Sequence, residues 1–428
     1  LLTNWMNRTF KLKAHETTVQ REFLSGLTAF FTVAYIVIVN ASILKDAGMS
    51  QEASAIATSI TCFLGCLMIA FWANSPLVII PGMGENIFFS YTIVRALGFS
   101  WQEGLAIVFI SGVLYTIIAF SPLAASLTKS IPLSMKSAIT VGIGLFITFI
   151  GLQKGGIVTA NKQNLIELGD LTSPKTLLTL VSLLITAVLF IRNVKGGLLI
   201  SIAAGALLAI PFGFTEWDGS SDWSAGLRQY QHLFGAFSFD RFLTLPFWTA
   251  VFSLTMILLF QNLGTIQTFE KNERKFTHAY RATGVSNIFA GTFGTSSTVA
   301  ALESSVGIAS GARTGLSSAV VGLLFLCSVF FMPVIKAIPD SAIAPILILI
   351  GSLMLQSIRD IHFNDVTEYF PAFLTIVLIP LTYNIADGMA FGFISYPLIK
   401  ILCGKGKELN VTVCFVACLF LLNYLLFL

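Results

Sequence analysis

Apolar residues fall into runs separated by short polar connections, at about 22–44, 53–73, 76–97, 103–121, 134–153, 174–192, 197–213, 247–269, 277–293, 297–312, 314–333, 343–356, 369–384, 388–402 and 411–427. A helix needs about 20 such residues to cross a hydrocarbon layer of about 30 Å. The pattern therefore predicts an all-α polytopic membrane protein, with these candidates supplying about 14 spans. The runs 297–312, 343–356 and 388–402 are short, so re-entrant or broken segments are expected there.

The longest polar stretch, 215–241, holds Trp217, Asp218, Asp222, Trp223, Arg228 and Tyr230. It divides seven runs from the remainder. The expected organisation is a cytosolic tail (1–21), a first seven-span repeat (22–213), a connecting loop (214–246) and a second repeat (247–428). An odd number of spans per repeat makes the second copy enter from the opposite side, so the repeats are expected to be inverted. Three anchors recur in the same order: Asn40 with Gln261, Glu85 with Glu303, and Ile131-Pro132 with Ile338-Pro339.

Composition agrees with the pattern. Charged residues make up 11% of the 428 residues and hydrophobic ones 55%, with a mean hydropathy of +0.84, which excludes an ordinary soluble domain. The net charge of +4 comes from basic connections rather than from a basic patch for nucleic acid. Arg8, Lys11, Lys13, Arg21, Lys129, Lys136, Lys271, Arg274, Lys275, Lys405 and Lys407 share one side if the N-terminus is cytosolic, as the positive-inside rule favours. The polar start reads as a cytosolic tail and not as a signal peptide.

Cys62 and Cys66, and Cys414 and Cys418, sit one helical turn apart without carboxylate or His company and read as packing. The four His, at 15, 232, 278 and 362, lie in or beside loops, so no membrane metal site is expected. The chain has no G-x-x-x-x-G-K-[ST], H-E-x-x-H or G-x-S-x-G motif. An enzyme is not expected, and neither is a cofactor.

Acidic residues inside apolar runs are costly and mark function. Glu85 and Glu303 stand out, with Asp387 nearer a break. Glu303 follows Gly294-Thr295-Ser296-Ser297-Thr298, a stretch suited to extended chain leading into a helix start. It is either a ligand or proton site or a structural cap. Pro81-Gly82-Met83-Gly84 breaks the third run and lets Glu85 and Asn86 begin a half-helix. Glu85 is then a cap stabilised by the helix dipole or a proton carrier. The adjacent carboxamides of Gln261 and Asn262 suit either the edge of a base or interhelical hydrogen bonding. Phe88, Phe89 and Tyr91 are candidates for stacking on a flat ring.

The stretches TTVQREFLSGLTAFFTVAYIVIVNASIL, PGMGENIFFSY, GIGLFITFIGLQ, GTSSTVAALESSVGIASGARTGL and YFPAFLTIVLIPLTYNIADGMAFGFISYPL resemble the bacterial purine permeases. These are the adenine and hypoxanthine/guanine, or AzgA-like, branch of the nucleobase:cation symporter-2 family. The resemblance runs from about Phe10 to the C-terminus. It implies fourteen spans in two inverted repeats of seven, a core and a gate domain, and third and tenth segments broken by short strands. It further implies proton-coupled purine uptake, with the base between the first, third, eighth and tenth segments and Glu303 as the binding carboxylate.

The candidate substrate set is Glu303, Gln261, Asn262, Thr265, Thr295, Ser296, Ser297, Leu302, Asn86, Phe88, Phe89 and Ala34, with Glu85 and Glu303 as proton carriers. The expected partners are a purine nucleobase, a proton, the lipid bilayer of the cytoplasmic membrane and a second copy in a homodimer. Two positions depart from the family: Gln261 stands where it usually has Asp, and Glu85 where it usually has an apolar residue. A uracil or xanthine carrier is the same-class alternative. An anion exchanger or channel on this fold is the other, although it would want a basic residue at the breaks.

Overall fold

The computed structural model describes residues 2–122, 131–161, 165–214, 223–331, 335 and 338–425. Lys129, Trp217, Asp218 and Asp222 lie outside the described residues.

Fourteen membrane segments follow one another among the described residues. Segments 1 to 7 are Val19–Lys45, Gln51–Ala73, 79–96, Trp101–Phe120, Leu133–Lys154, Pro174–Ile191 and Gly197–Phe212. Segments 8 to 14 are Leu245–Phe269, Glu273–Phe293, 298–309, Gly315–Phe331, Asp340–Asp360, Val366–Thr382 and Ile385–Leu402. A further helix, Val411–Leu425, packs along segment 14, with the Tyr424 hydroxyl donating to Asp387 Oδ1 at 2.9 Å. The polar connection contributes the helix Trp223–Leu233.

Local chemistry sets many of these ends. Ser100 and Glu103 form a reciprocal capping box that starts segment 4. Ser173 caps segment 6 ahead of Pro174, whose missing N–H costs nothing at a helix start. Gly294, at φ 84°, ends segment 9 in the left-handed region that glycine tolerates.

Of the three short runs, only 297–312 is broken. The run 343–356 gains Asp340, Ser341 and a terminal 3-10 turn to reach Asp360. The run 388–402 is the last part of an unbroken 18-residue helix starting at Ile385, with Asn384 as cap. Polar residues at both ends of the first, and at the start of the second, hid the true length of these helices.

Segments 1–4 pack with 8–11 into one body, and 5–7 with 12–14 into another, so each body draws on both halves of the chain. Small residues allow the close crossings. A Cβ on Gly112 of segment 4 would lie 2.7 Å from the Asn287 carbonyl carbon, and one on Gly291 of segment 9 would lie 2.8 Å from the Phe109 nitrogen. In the second body, a Cβ on Gly144 would lie 2.7 Å from Met354 Cβ and 2.8 Å from the Gly351 oxygen.

A side chain at Gly291 has no room to relax, because backbone stands opposite it. Gly291→Val is expected to destabilise the first body by about 1–3 kcal/mol, read as a lower melting temperature of the detergent-solubilised protein. Gly264→Ala, with nothing within 4 Å of the new methyl, is the control and should not lower it.

Candidate substrate cavity

Segments 3 and 10 meet as two short antiparallel strands, Ile79–Pro81 and Thr298–Ala300, paired Ile79 with Ala300, Ile80 with Val299 and Pro81 with Thr298. The pair extends through the Gly82 N–H, which donates to the Ser297 carbonyl at 3.1 Å. Strands this short leave backbone groups over, and carboxamides take them up. The Ala300 N–H donates to Asn262 Oδ1 (3.0 Å) and the Thr298 N–H to Asn287 Oδ1 (2.8 Å), while Asn287 Nδ2 donates to the Thr298 carbonyl at 2.8 Å.

Beside this crossing lies a cavity of about 440 Å³, within the range of small-molecule sites. The first body contributes Ile80, Val299, Tyr35, Phe260, Gln261 and Glu303, and the second contributes Ile139, Ile143, Ile350 and Met354. The buried Tyr35 hydroxyl donates to Glu303 Oε1 at 2.6 Å. This bond orients the carboxylate. Gln261 Oε1 is buried on the cavity wall with no hydrogen-bond partner, and such an atom is satisfied when a ligand supplies a donor. The result is an apolar slot with two oxygen acceptors on its inner side.

Of the residues singled out in the sequence, Glu303, Gln261, Thr265 and Leu302 share the cavity wall. Asn262, one residue from Gln261, faces the strands instead and uses its amide on them, with Nδ2 donating to the Leu258 carbonyl at 3.0 Å. Asn86, Thr295 and Ser296 lie behind the wall in a buried network. Asn40 Nδ2 donates to Thr58 Oγ1 (2.7 Å) and Thr295 Oγ1 (2.9 Å), and Ser296 Oγ donates to Asn40 Oδ1 (3.3 Å) and to Asn86 Oδ1. Ser297 and Glu85 are also buried behind the wall.

Phe88 and Phe89 are buried away from the cavity, Phe89 against Gly104 of segment 4. Tyr91 serves the far end of segment 3, and Ala34 stops one residue short of the wall. The aromatic rings on the wall are Tyr35 and Phe260, which sequence reasoning missed. The one available signal for Tyr35 was a phenolic hydroxyl inside the apolar run that ends in Asn40.

The cavity reaches the surface at one end, past the exposed Gln267, Thr268, Lys271 and Asp360. At the opposite end the two bodies are tied together. Lys154 Nζ lies 2.7 Å from Asp46 Oδ2 and 3.3 Å from Asp340 Oδ1, and donates to Ser42 Oγ at 3.2 Å. Tyr91 donates to Asp46 Oδ2 at 2.7 Å, and Arg95 Nε donates to the Asp46 carbonyl at 3.0 Å. Segment 3 also reaches the turn between segments 13 and 14, through Thr92 Oγ1 and the Tyr383 carbonyl at 3.3 Å.

Outside the membrane segments, the Lys405 ammonium, 2.6 Å away, and the hydroxyl and N–H of Thr367 hold the Asp365 carboxyl well below the usual carboxylate range. A depressed carboxylate stabilises the fold above its ordinary titration range, and that contribution is lost as pH falls towards its lowered value.

Lys154→Met should release the tied end. Charge-assisted hydrogen bonds of this kind are worth about 1.5–3 kcal/mol, so a roughly tenfold or greater gain in opening is expected. The readout is labelling of a Met354→Cys reporter by a membrane-impermeant thiol reagent added from the Lys154 side, with the exposed Cys327, Cys403 and Cys418 replaced by Ser. Unaltered labelling would show that the seal lies elsewhere.

Comparison with known proteins follows the same lines. The Permease family model (Xan_ur_permease) matches residues 20–391. The chain is 43% identical over 387 residues to the nucleobase transporter PlAzg2 of Paenibacillus larvae, covering 89% of this chain and 77% of that one. It is 39% identical to the guanine/hypoxanthine permease PbuO of Bacillus subtilis (97% and 99% covered) and 36% identical to the adenine permease AdeQ of Escherichia coli (98% and 96% covered). Among solved structures, the transmembrane domain of a cyanobacterial bicarbonate transporter, BicA, aligns with a TM-score of 0.63 at 16% identity, covering 85% of this chain and 96% of that one. The murine anion transporter Slc26a9 aligns at 0.64 and 13% identity, covering 90% and 68%. These two likenesses concern the fold alone. With a family match over most of its length and relatives at 36–43% identity that are named nucleobase, guanine/hypoxanthine and adenine permeases, the chain belongs to the permease family.

Proposed function

We propose that this protein imports purine nucleobases across the cytoplasmic membrane by proton symport, with hypoxanthine and guanine as principal substrates and adenine also accepted. The observation that carries this reading is the slot in which Glu303, oriented by Tyr35, and Gln261 present oxygen acceptors between apolar walls. A flat heterocycle has the matching chemistry: ring N–H donors on its edge and apolar faces. Glu303 accepts ring N–H groups, and the Gln261 amide turns either its oxygen or its NH₂ to the exocyclic position, which suits an oxo or an amino group. Met83 and Gly84, at the start of a half-helix on the wall, carry N–H groups that lack intrahelical partners and suit ring acceptors. The names of the relatives support nucleobases as the substrate class.

In this reading the basic end faces the cytosol, so the structure stands open inward and tied outward. Transport is then movement of the body bearing Glu303 against the body bearing Lys154, breaking the outer ties as the inner mouth closes. Lys136 and Lys271 near the mouth are the feature an anion carrier would want. The carboxylate deeper in the cavity opposes that reading, because a bound anion would meet it directly.

The test is uptake of radiolabelled hypoxanthine, guanine, adenine, xanthine and uracil into cells lacking their own permeases, with and without a protonophore. Purine accumulation that the protonophore abolishes is expected. Glu303→Gln should lower it by roughly 10- to 100-fold, the equivalent of one hydrogen bond to a charged group. Transport of none of these bases would reopen the anion reading.

A further inference from the structure

Glu85 is fully buried, and its carboxylate meets no hydrogen-bond donor except its own backbone N–H. It sits on the turn Met83–Ile87, with its carboxylate folded back over Gly82 so closely that a Cβ there would collide with Oε2. Pro81, Gly82, Met83 and Gly84 form part of the cavity wall and Glu85 does not. One turn of backbone therefore separates the carboxylate from the space a ligand would occupy. Asn86 Nδ2 and Ser297 Oγ, on the adjoining residues, are likewise buried without partners.

A reciprocal capping box does not account for Glu85. The Gly82 N–H that a capping carboxylate would accept already donates to Ser297. No countercharge is present either. The turn packs against the second half of segment 1 and against segments 5 and 8. Their ionisable residues are Tyr35 and Lys45, Lys136 and Lys154, and none on segment 8. Segment 10 and the residues leading into it, which meet the turn through Ser296, Ser297 and Val299, add the carboxylate of Glu303. Tyr35 is bonded to Glu303, Lys154 to Asp46 and Asp340, Lys45 is exposed and Lys136 lines the cavity near its mouth. An unpaired carboxylate in such a place is far more costly than the neutral acid.

The seal over this turn belongs to the other body. A Cβ on Gly84 would stand 3.0 Å from Ile143 Cγ2, so segment 5 presses directly on the turn. On the transport reading above, sliding of the two bodies opens that contact.

We propose that Glu85 is the binding site of the driving proton, placed behind the Pro81–Gly84 part of the cavity wall, which Ile143 of segment 5 covers from the cavity side. The proposal rests on the proton-symport reading above. A proton from water adds to the carboxylate when the turn is uncovered. The neutral acid is carried under the apolar seal, and the proton returns to water on the other side. The base and the proton share the Pro81–Gly84 wall from opposite faces, so motion of that wall serves both.

The experiment uses the full chain in proteoliposomes with a pH dye in the lumen. Wild type should move protons with hypoxanthine and accumulate it against its gradient. Glu85→Gln should lose proton movement, accumulation and the pH dependence of uptake, while hypoxanthine-for-hypoxanthine exchange persists. Protonophore-sensitive accumulation by Glu85→Gln would overturn the proposal, and so would loss of exchange together with accumulation in a variant that still folds. A second measurement needs no variant. Dicyclohexylcarbodiimide, which attacks protonated carboxyls in apolar sites, should modify Glu85 of wild type, seen by mass spectrometry of the peptide; modification of Glu303 but not Glu85 would also overturn it. If wild type neither binds nor moves a purine, the transport reading itself fails, an outcome distinct from these.

Discussion

The structure depends on one constraint: backbone that leaves the helical path inside a bilayer must still find partners for its N–H and C=O groups. Segments 3 and 10 both leave it, and each answers the other through the paired strands at 79–81 and 298–300. The groups the pairing leaves over are met by Asn262 and Asn287, while Asn40 ties the approach to the second strand into segment 2. Because both half-helices begin where the strands end, the constraint also places Gly84 and Glu303 on one cavity. The cavity is a by-product of solving the backbone problem.

The breaks were legible in the sequence because their causes are local. Pro81-Gly82 cannot continue a helix, and the Gly294 to Ser297 stretch favours extended chain. Glu303 was legible because a carboxylate in an apolar run has few bland explanations. The facing of side chains was less so. Gln261 and Asn262 are neighbours of similar chemistry, yet about 100° of helical rotation sends one to the cavity and the other to a strand. Tyr35 and Phe260 were hidden for the same reason, since an aromatic in an apolar run looks alike whether it meets lipid, core or ligand. Segments 12 and 14 looked short because their ends carry Asp340, Arg359, Asn384 and Asp387, residues that helix ends at a membrane surface readily accept.

The two bodies divide the work unevenly. The one built from segments 1–4 and 8–11 holds nearly every buried polar side chain near the cavity, and its glycine-mediated crossings at Gly112 and Gly291 leave little freedom within it. The other presents Ile139, Ile143, Ile350 and Met354 opposite the strand crossing, together with Lys136, Ser137, Thr140, Ser357 and Asp360. The apolar part of this surface can shift along its partner without breaking directional bonds, until it reaches the cluster around Lys154.

Segment 5 is a single unbroken helix of 22 residues, a rod of about 33 Å, with Lys136 beside the open mouth, Ile143 at mid-height on the wall and Lys154 in the closed end. A stiff rod pivoting near its middle behaves as a seesaw: lifting one end lowers the other. Simultaneous opening at both ends would require the rod to bend, and no proline interrupts it. On the transport reading proposed above, mutual exclusion of the two entrances, and with it protection against leak of small ions, follows from the continuity of one helix.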